Sequence, residues 1–391
     1  RVVSERYSSS TERGVTAMRV GIFEIAERVR TFFTAPVLPA TALALRQREI
    51  ALVEARRRRG RLLVRRAAVE PVPEGALEPT FDGKNVRAKE SLRRALQRAV
   101  ERAGLQHARR WAVALPSAAC RVFLLEIEHA PKAKEELASV IGWKIERLVG
   151  ISAAELTIAV QHLPHRRGRS VMGAAPSARE AASRSERFLA VAARSEVLAA
   201  YEEVLKEAGL HPGFLIPNNL AESGWMATLP SGHDALLISV EGEWLTLFFT
   251  RDREPLAIRA VHCEPEAVLE EIHRTLVYYQ DRLSHHVRGS LSAEDAAAQA
   301  ETALVVSKEE AAGHPPAPLG GGLHTIVVVN HNEGAEEARS PFAREIETLC
   351  HALFPSGAVP ALYSLNEHAL EPSASWRLSH LAAPLGVIAC S

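Results

Sequence analysis

Trp111-Ala-Val-Ala-Leu-Pro116, Cys120-Arg-Val-Phe-Leu-Leu-Glu-Ile127 and Leu156-Thr-Ile-Ala-Val-Gln-His-Leu163 are the runs whose reading decides the fold. The first is short, almost wholly apolar and closed by Pro116, as suits a buried strand that ends where a ladder donor is no longer wanted. Between the second and third, from Lys132 to Leu148, Leu137, Val140, Ile141, Ile145 and Leu148 recur at three- and four-residue spacing. That spacing predicts one helix whose apolar stripe lies on a sheet while Lys134, Glu135, Lys144 and Arg147 face water. Trp143 falls off this stripe. Phe188–Ala193 supplies a further strand, so the local order is strand, helix, strand, strand: a small inserted module rather than a repeat of βαβ units.

Working outward, Thr41–Leu45, Ile50–Ala55 and Arg61–Ala68 read as three strands, the first two joined by the turn Arg46–Glu49. Ala88–Ala103 reads as an amphipathic helix stopped by Gly104, and Ser195 is placed to cap a helix ending at Gly209. Ala235–Val240 and Trp244–Thr250 form a second hairpin. Pro265 opens a helix through Val268, Ile272, Leu276, Tyr279 and Leu283, and Thr325–Val329 is a strand. Ser340-Pro341 caps a last amphipathic helix. Residues 165–187 and 288–322 read as connecting segments. Gly320–Gly322 precedes a strand, whereas phosphate-cradling glycines follow one and open a helix.

Composition narrows the class. The chain has 391 residues, 47% of them hydrophobic and 24% charged, enough for a multi-lobed structure. No apolar run reaches the ~20 residues that span a bilayer. The four cysteines are far apart without a CxxC and read as buried thiols in a reducing compartment. No Walker A, GxSxG or HExxH sequence is present, and His162 with His165 lacks a third metal ligand. Net charge is zero, yet residues 1–120 hold 24 Lys+Arg against 12 Asp+Glu, a basic half suited to an anionic surface or simply to solvent. Arg56–Arg59 is a charge run without the interleaved aromatics of a base-stacking surface, so no nucleic-acid partner is expected.

A string of phrases resembles the PilM family of actin-like proteins of type IV pilus machines, related to FtsA. They are Pro71-Val-Pro-Glu-Gly-Ala-Leu77, Ala112-Val-Ala-Leu-Pro-Ser117, Phe188-Leu-Ala-Val-Ala-Ala193, Ala208-Gly-Leu-His-Pro212 and Glu270-Glu-Ile-His-Arg-Thr-Leu-Val-Tyr-Tyr279, in the family's order. The resemblance implies an α/β, actin-like (ribonuclease H-like) two-lobed fold with an inserted 1C domain. It divides the chain into an N-terminal tail and amphipathic helix (1–35), subdomain 1A (36–118), the 1C insertion (119–215), and a second lobe with a C-terminal return (216–391).

In that family the two hairpin turns are phosphate loops, each with an Asp-x-Gly, and the first is followed by a lysine. Here the first loop's positions carry Ala44, Arg46 and Ala51, and the second's carry Ser239 and Glu241, with Gly242 one residue on. Asn330-His331-Asn332-Glu333 replaces a glycine pair near the adenosine. The implication is a pseudo-ATPase with no cofactor or metal. An ATPase using substituted Mg-ATP ligands is the competing enzyme reading, and a type II secretion platform component is a third. The resemblance also implies a cytoplasmic scaffold at the inner face of the inner membrane, attached through its partners. That scaffold would bind the N-terminal cytoplasmic peptide of a PilN-like subunit, with room for a homo-oligomeric ring. Trp143, flanked by Leu137 and Val140, is the candidate anchor for that peptide, the alternative being burial of Trp143 against a neighbouring lobe.

Overall fold

The computed structural model describes residues 39–58, 61–163, 185–229, 233–283, 323–332, 340–354, 359–365 and 378–389. The expectations for residues 1–35 and 288–322, and all but the end of the 165–187 segment, lie outside them.

The first lobe is a sheet of five strands: β1 (Thr41–Leu45), β2 (Glu49–Arg58), β3 (Arg61–Pro71), β4 (Arg110–Leu115) and β8 (His211–Pro217), in the order β3-β2-β1-β4-β8. β1, β4 and β8 are parallel, whereas β2 and β3 are antiparallel additions. Register pairs Leu43 with Leu52 and Leu45 with Ile50, so these four large side chains share one face. They are buried there against α1 (Lys89–Ala103) and α3 (Ser195–Glu207), through Leu92, Leu96, Tyr201 and Val204. Each such burial is worth about 1.5–3 kcal/mol. Gly104 ends α1 in the left-handed conformation at φ 64°, which only glycine adopts without strain.

The second lobe repeats the plan. β9 (Asp234–Glu241), β10 (Trp244–Arg251), β11 (Glu254–His262), β12 (Leu323–Asn330) and β13 (Ala361–Ser364) run in the order β11-β10-β9-β12-β13. β9, β12 and β13 are parallel and the other two antiparallel. One face packs on α5 (Val268–Tyr278) and α6 (Pro341–Leu353), with Ile272, Leu276, Ile346 and Cys350 buried. Ser340 caps α6 as expected, its hydroxyl accepting from the Ala343 N–H.

The inserted module consists of β5 (Arg121–Glu128), α2 (Lys134–Val149), β6 (Leu156–Leu163) and β7 (Ser185–Arg194), with sheet order β5-β7-β6. Ile141 and Ile145 seat the helix on the sheet beside Leu125, Ile127 and Phe188. The module ends at Arg194. α3 then covers the first sheet and β8 pairs with β4, so the 119–215 span expected for the insertion ends with first-lobe structure. Ser195 makes no cap. It is the first helical residue, and its hydroxyl lies 3.0 Å from that of Thr157, tying α3 to β6.

Past β8 the chain turns into α4 (Asn218–Glu222) and a 3-10 stretch, Ser223–Thr228. The C-terminal helix α7 (Ala382–Ala389) returns to lie across α4, β1 and β2. Small residues make this approach possible. Ala42 and Ala44 occupy the sheet face opposite Leu43 and Leu45, and a β-carbon on Gly386 would overlap the Ala221 carbonyl oxygen.

Candidate functional site

Two hairpin turns meet between the lobes. In the first, β1 ends at Leu45, and the Arg46 N–H donates 2.9 Å to the Glu49 carbonyl oxygen. In the second, β9 ends at Glu241 and β10 starts at Trp244. Gly242 at φ 61° takes the first turn position, which suits a two-residue hairpin of the type that needs glycine there. The turn glycine is therefore Gly242, and Glu241 is the last residue of β9. Gly242 at the turn is the one-residue slip that the sequence left open. The Gln47 side chain of the first turn lies against Gly242 of the second.

Ala44 and Ala51, where a carboxylate and a lysine were sought, are opposite one another in β1 and β2 and fully buried beneath α7. Neither faces an open cleft. Ser239 is buried in β9, its hydroxyl donating 2.5 Å to Glu222 Oε2 of α4.

The remaining residues form a buried polar network. Arg46, 2% exposed, donates from Nη1 to Glu49 Oε1 at 2.6 Å and to the His380 carbonyl at 2.9 Å, and its Nη2 lies 3.8 Å from Glu222 Oε1. His380 Nδ1 meets the other Glu49 oxygen at 2.7 Å, and His331 Nε2, just past β12, meets Glu222 Oε1 at 2.7 Å. From the second lobe, Glu241 Oε2 accepts from the Ser117 N–H at 3.1 Å and from the Ser117 hydroxyl at 2.7 Å, at the end of β4. Its Oε1 accepts from Asn218 Nδ2 at 3.1 Å, which also donates to the Leu45 carbonyl. Asn219 Nδ2 reaches Thr246 Oγ1 across the lobes at 3.0 Å. Among the described residues, Arg46 Nε and Nη2, Asn218 Oδ1 and His331 Nδ1 are buried without a hydrogen bond.

Charge is distributed unevenly among the three carboxylates. Burial pushes Glu222 upward, but His331, Arg46 and the Ser239 hydroxyl outweigh it and hold the carboxyl below its usual range. At Glu241 burial prevails over Arg46, His331 and Ser117, and the neighbouring Glu222 charge adds to it, so this carboxyl is pushed up. Two buried acids sharing one cationic set are shifted in opposite directions in this way. Glu49, despite burial, is drawn down to about 2 by the His380 hydrogen bond and Arg46.

Three backbone donors near the two turns have acceptors within the protein. The Ser117 N–H is taken by Glu241, the Arg46 N–H by Glu49, and the Gly242 N–H by Asn332 Oδ1 at 2.9 Å. Asn332 Nδ2 closes the bracket on the Gly242 carbonyl at 2.7 Å. Among the described residues no group of three or more His, Cys, Asp or Glu is arranged to hold a metal ion. His162 pairs with Glu186 at the module surface, 3.2 Å away.

Elsewhere, the three residues expected to form a peptide anchor do not act alike. Leu137 and Val140 are partly buried and pack on the module core. Trp143 is 55% exposed, with the Arg147 guanidinium 5.1 Å from its ring, so it is not buried against another lobe.

Sequence reading missed Glu49, Glu222, His380, Ser117 and Asn218. They come from four different segments, with contacts spanning up to 334 residues. The one local signal was the polar pair Asn218-Asn219 directly after an otherwise apolar strand.

Two sheets of identical strand order, each with three parallel strands and an antiparallel hairpin, facing one another across paired turns, define an actin-like α/β fold, here carrying an inserted module in its first lobe. No family model matches the sequence, and neither does any curated protein. Among solved structures, a chain of the PilM-PilN type IV pilus biogenesis complex matches with a TM-score of 0.58 and 16% identity, covering 91% of this chain and 100% of that one. The cytoplasmic domain of EpsL, an inner-membrane component of the type II secretion system of Vibrio cholerae, gives 0.40 at 12% identity, covering 88% and 92%. A Bacteroides thetaiotaomicron protein with an actin-like ATPase fold and unknown function gives 0.43 at 7%, covering 88% and 95%. The chain is PilM-like in fold, as its sequence phrases suggested. No helix among the described residues is long and apolar enough to cross a membrane.

Proposed function

We propose that this protein is a PilM-type scaffold of a type IV pilus assembly platform, a pseudo-ATPase working in the cytoplasm at the inner membrane. The observation that carries the scaffold reading is the Glu241–Ser117 contact. A second-lobe carboxylate takes the backbone and hydroxyl donors of the first lobe, which supports a cleft engaged with itself rather than open to a nucleotide. The residues do not fit Mg-ATP. Glu222 and Glu49 are each engaged by cationic partners, and a phosphate entering the cleft would meet buried carboxylates. Two like charges ~4 Å apart at an effective dielectric of ~20 cost about 4 kcal/mol.

The partner reading rests on likeness to the PilM-PilN complex over nearly the whole chain. It is a short cytoplasmic segment of a PilN-like membrane subunit, bound in the groove beside α2. Trp143 suits the anchor role, because tryptophans left outside a core are over-represented among residues carrying ~2 kcal/mol or more of binding energy. Titrating a labelled peptide from the N-terminus of the cognate subunit tests this. Wild type should bind saturably, and Trp143→Ala should weaken binding by roughly thirtyfold. Absence of wild-type binding overturns the partner reading, and unchanged affinity in the variant removes Trp143 from it.

A further inference from the structure

The β2–β3 hairpin carries a feature that the cleft and the α2 groove do not use. Between Glu54 and Glu70 the chain has seven arginines and no acidic residue. The pairing of β2 with β1 ends at Thr41–Glu54, and only the Ala55 N–H reaches further, to the Ala40 carbonyl. Beyond that point, among the described residues, β2 pairs with β3 alone, Arg56 with Leu63, Arg57 with Leu62 and Arg58 with Arg61. At ~3.3 Å per residue this two-stranded ribbon extends about 10 Å past β1. A bulge between Glu54 and Ala55 leaves Arg65 without a cross-strand partner, and bulges of this kind turn and twist a ribbon away from its sheet.

The described side chains here are open to solvent. Arg56 and Arg65 are exposed and form no ion pair among the described residues, and Leu63 is 47% exposed. Arg66 contacts Glu54 at 3.8 Å and the Gly104 carbonyl, which ties the base of the ribbon to α1. Protection of a sheet edge is the ordinary use of charge on such a strand. It would be met by one or two charges of either sign, and would not place leucines opposite the arginines.

We propose that this ribbon docks the protein on an anionic lipid surface, with Arg56 and Arg65 meeting headgroup phosphates and Leu63 entering the interface. Arginine forks suit phosphate oxygens, and each cation near an anionic bilayer strengthens binding about fivefold at low salt. Two adjacent leucines within the cationic run favour a lipid interface over nucleic acid, for which stacking aromatics would be expected. This inference does not depend on the pilus reading.

The test is co-sedimentation of the full chain with phosphatidylcholine vesicles, with and without phosphatidylglycerol, across a salt series, beside a duplex-DNA titration. Binding should require phosphatidylglycerol and fall steeply with salt. Arg56→Ala/Arg65→Ala should weaken it by roughly twenty-five-fold. Leu63→Ser should weaken it without changing the salt slope, and Lys132→Ala/Lys134→Ala/Lys144→Ala on the inserted module should leave it unchanged. Circular dichroism melts verify that the variants fold. No preference for anionic vesicles, equal loss in the lysine control, or DNA binding that exceeds lipid binding would each overturn the proposal.

Discussion

Glu222 and His331 lie 109 residues apart in sequence, yet Glu222 Oε1 and His331 Nε2 meet at 2.7 Å in a fully buried contact at the centre of the interlobe network. Glu222 also receives the Ser239 hydroxyl and sits 3.8 Å from Arg46. Removing its charge leaves Arg46 without this carboxylate and takes an acceptor from His331 and Ser239 in a buried site. We expect Glu222→Gln to cost about 3 kcal/mol or more, the range found when one member of a buried charge set is lost. Glu241→Gln should cost less, about 1 kcal/mol, because that carboxyl is hydrogen-bonded by the neutral donors of Ser117 and Asn218 rather than by a cationic side chain. Urea unfolding midpoints of the two variants decide, and the reverse ranking would contradict this division of charge.

Acid sensitivity should follow Glu49. Its carboxyl is lowered from 4.5 to about 2 in the folded protein. A depressed folded value means the stabilisation is complete above about 4.5 and disappears as pH falls from there to about 2. The size is of order 3 kcal/mol for a side chain only 18% exposed. Glu49→Gln should flatten this part of the stability–pH curve, measured by chemical unfolding between pH 5 and the acid limit. Glu90, lowered by surface arginines, is fully exposed and should leave no comparable trace.

Gly386 offers a steric test of the C-terminal return. Its missing side chain is what lets α7 cross the backbone of α4 at Ala221 and Glu222. Gly386→Ala must displace one helix, and we expect a loss of about 2 kcal/mol or more although alanine is the better helix former. A gain in melting temperature would show that α7 does not bear on α4 in this way.

Much of the fold was legible in the sequence because buried strands such as Leu236–Val240 and Ala112–Leu115 read as near-continuous apolar runs. Helix stripes such as Ile272–Leu276 carry their own period. The boundaries failed where tertiary contact decides. Ser195 has the chemistry of a cap, but its hydroxyl is drawn to Thr157 on β6. The length of the insertion was overestimated because α3 is amphipathic whichever sheet it covers. In the cleft, the altered turn positions Ala44, Arg46, Ser239 and Glu241 could be named from sequence. What fills the site could not. Glu222, Ser117 and His380 sit in unremarkable local contexts, and only the folding of two lobes and a returning C-terminus brings them together with the turn positions and His331.

The central claim is that the protein's own side chains occupy the place of a nucleotide between the lobes. Isothermal titration calorimetry of the full chain with millimolar Mg-ATP addresses it most directly. We expect no saturable heat, with or without Mg²⁺, whereas a micromolar dissociation constant that requires Mg²⁺ would contradict it.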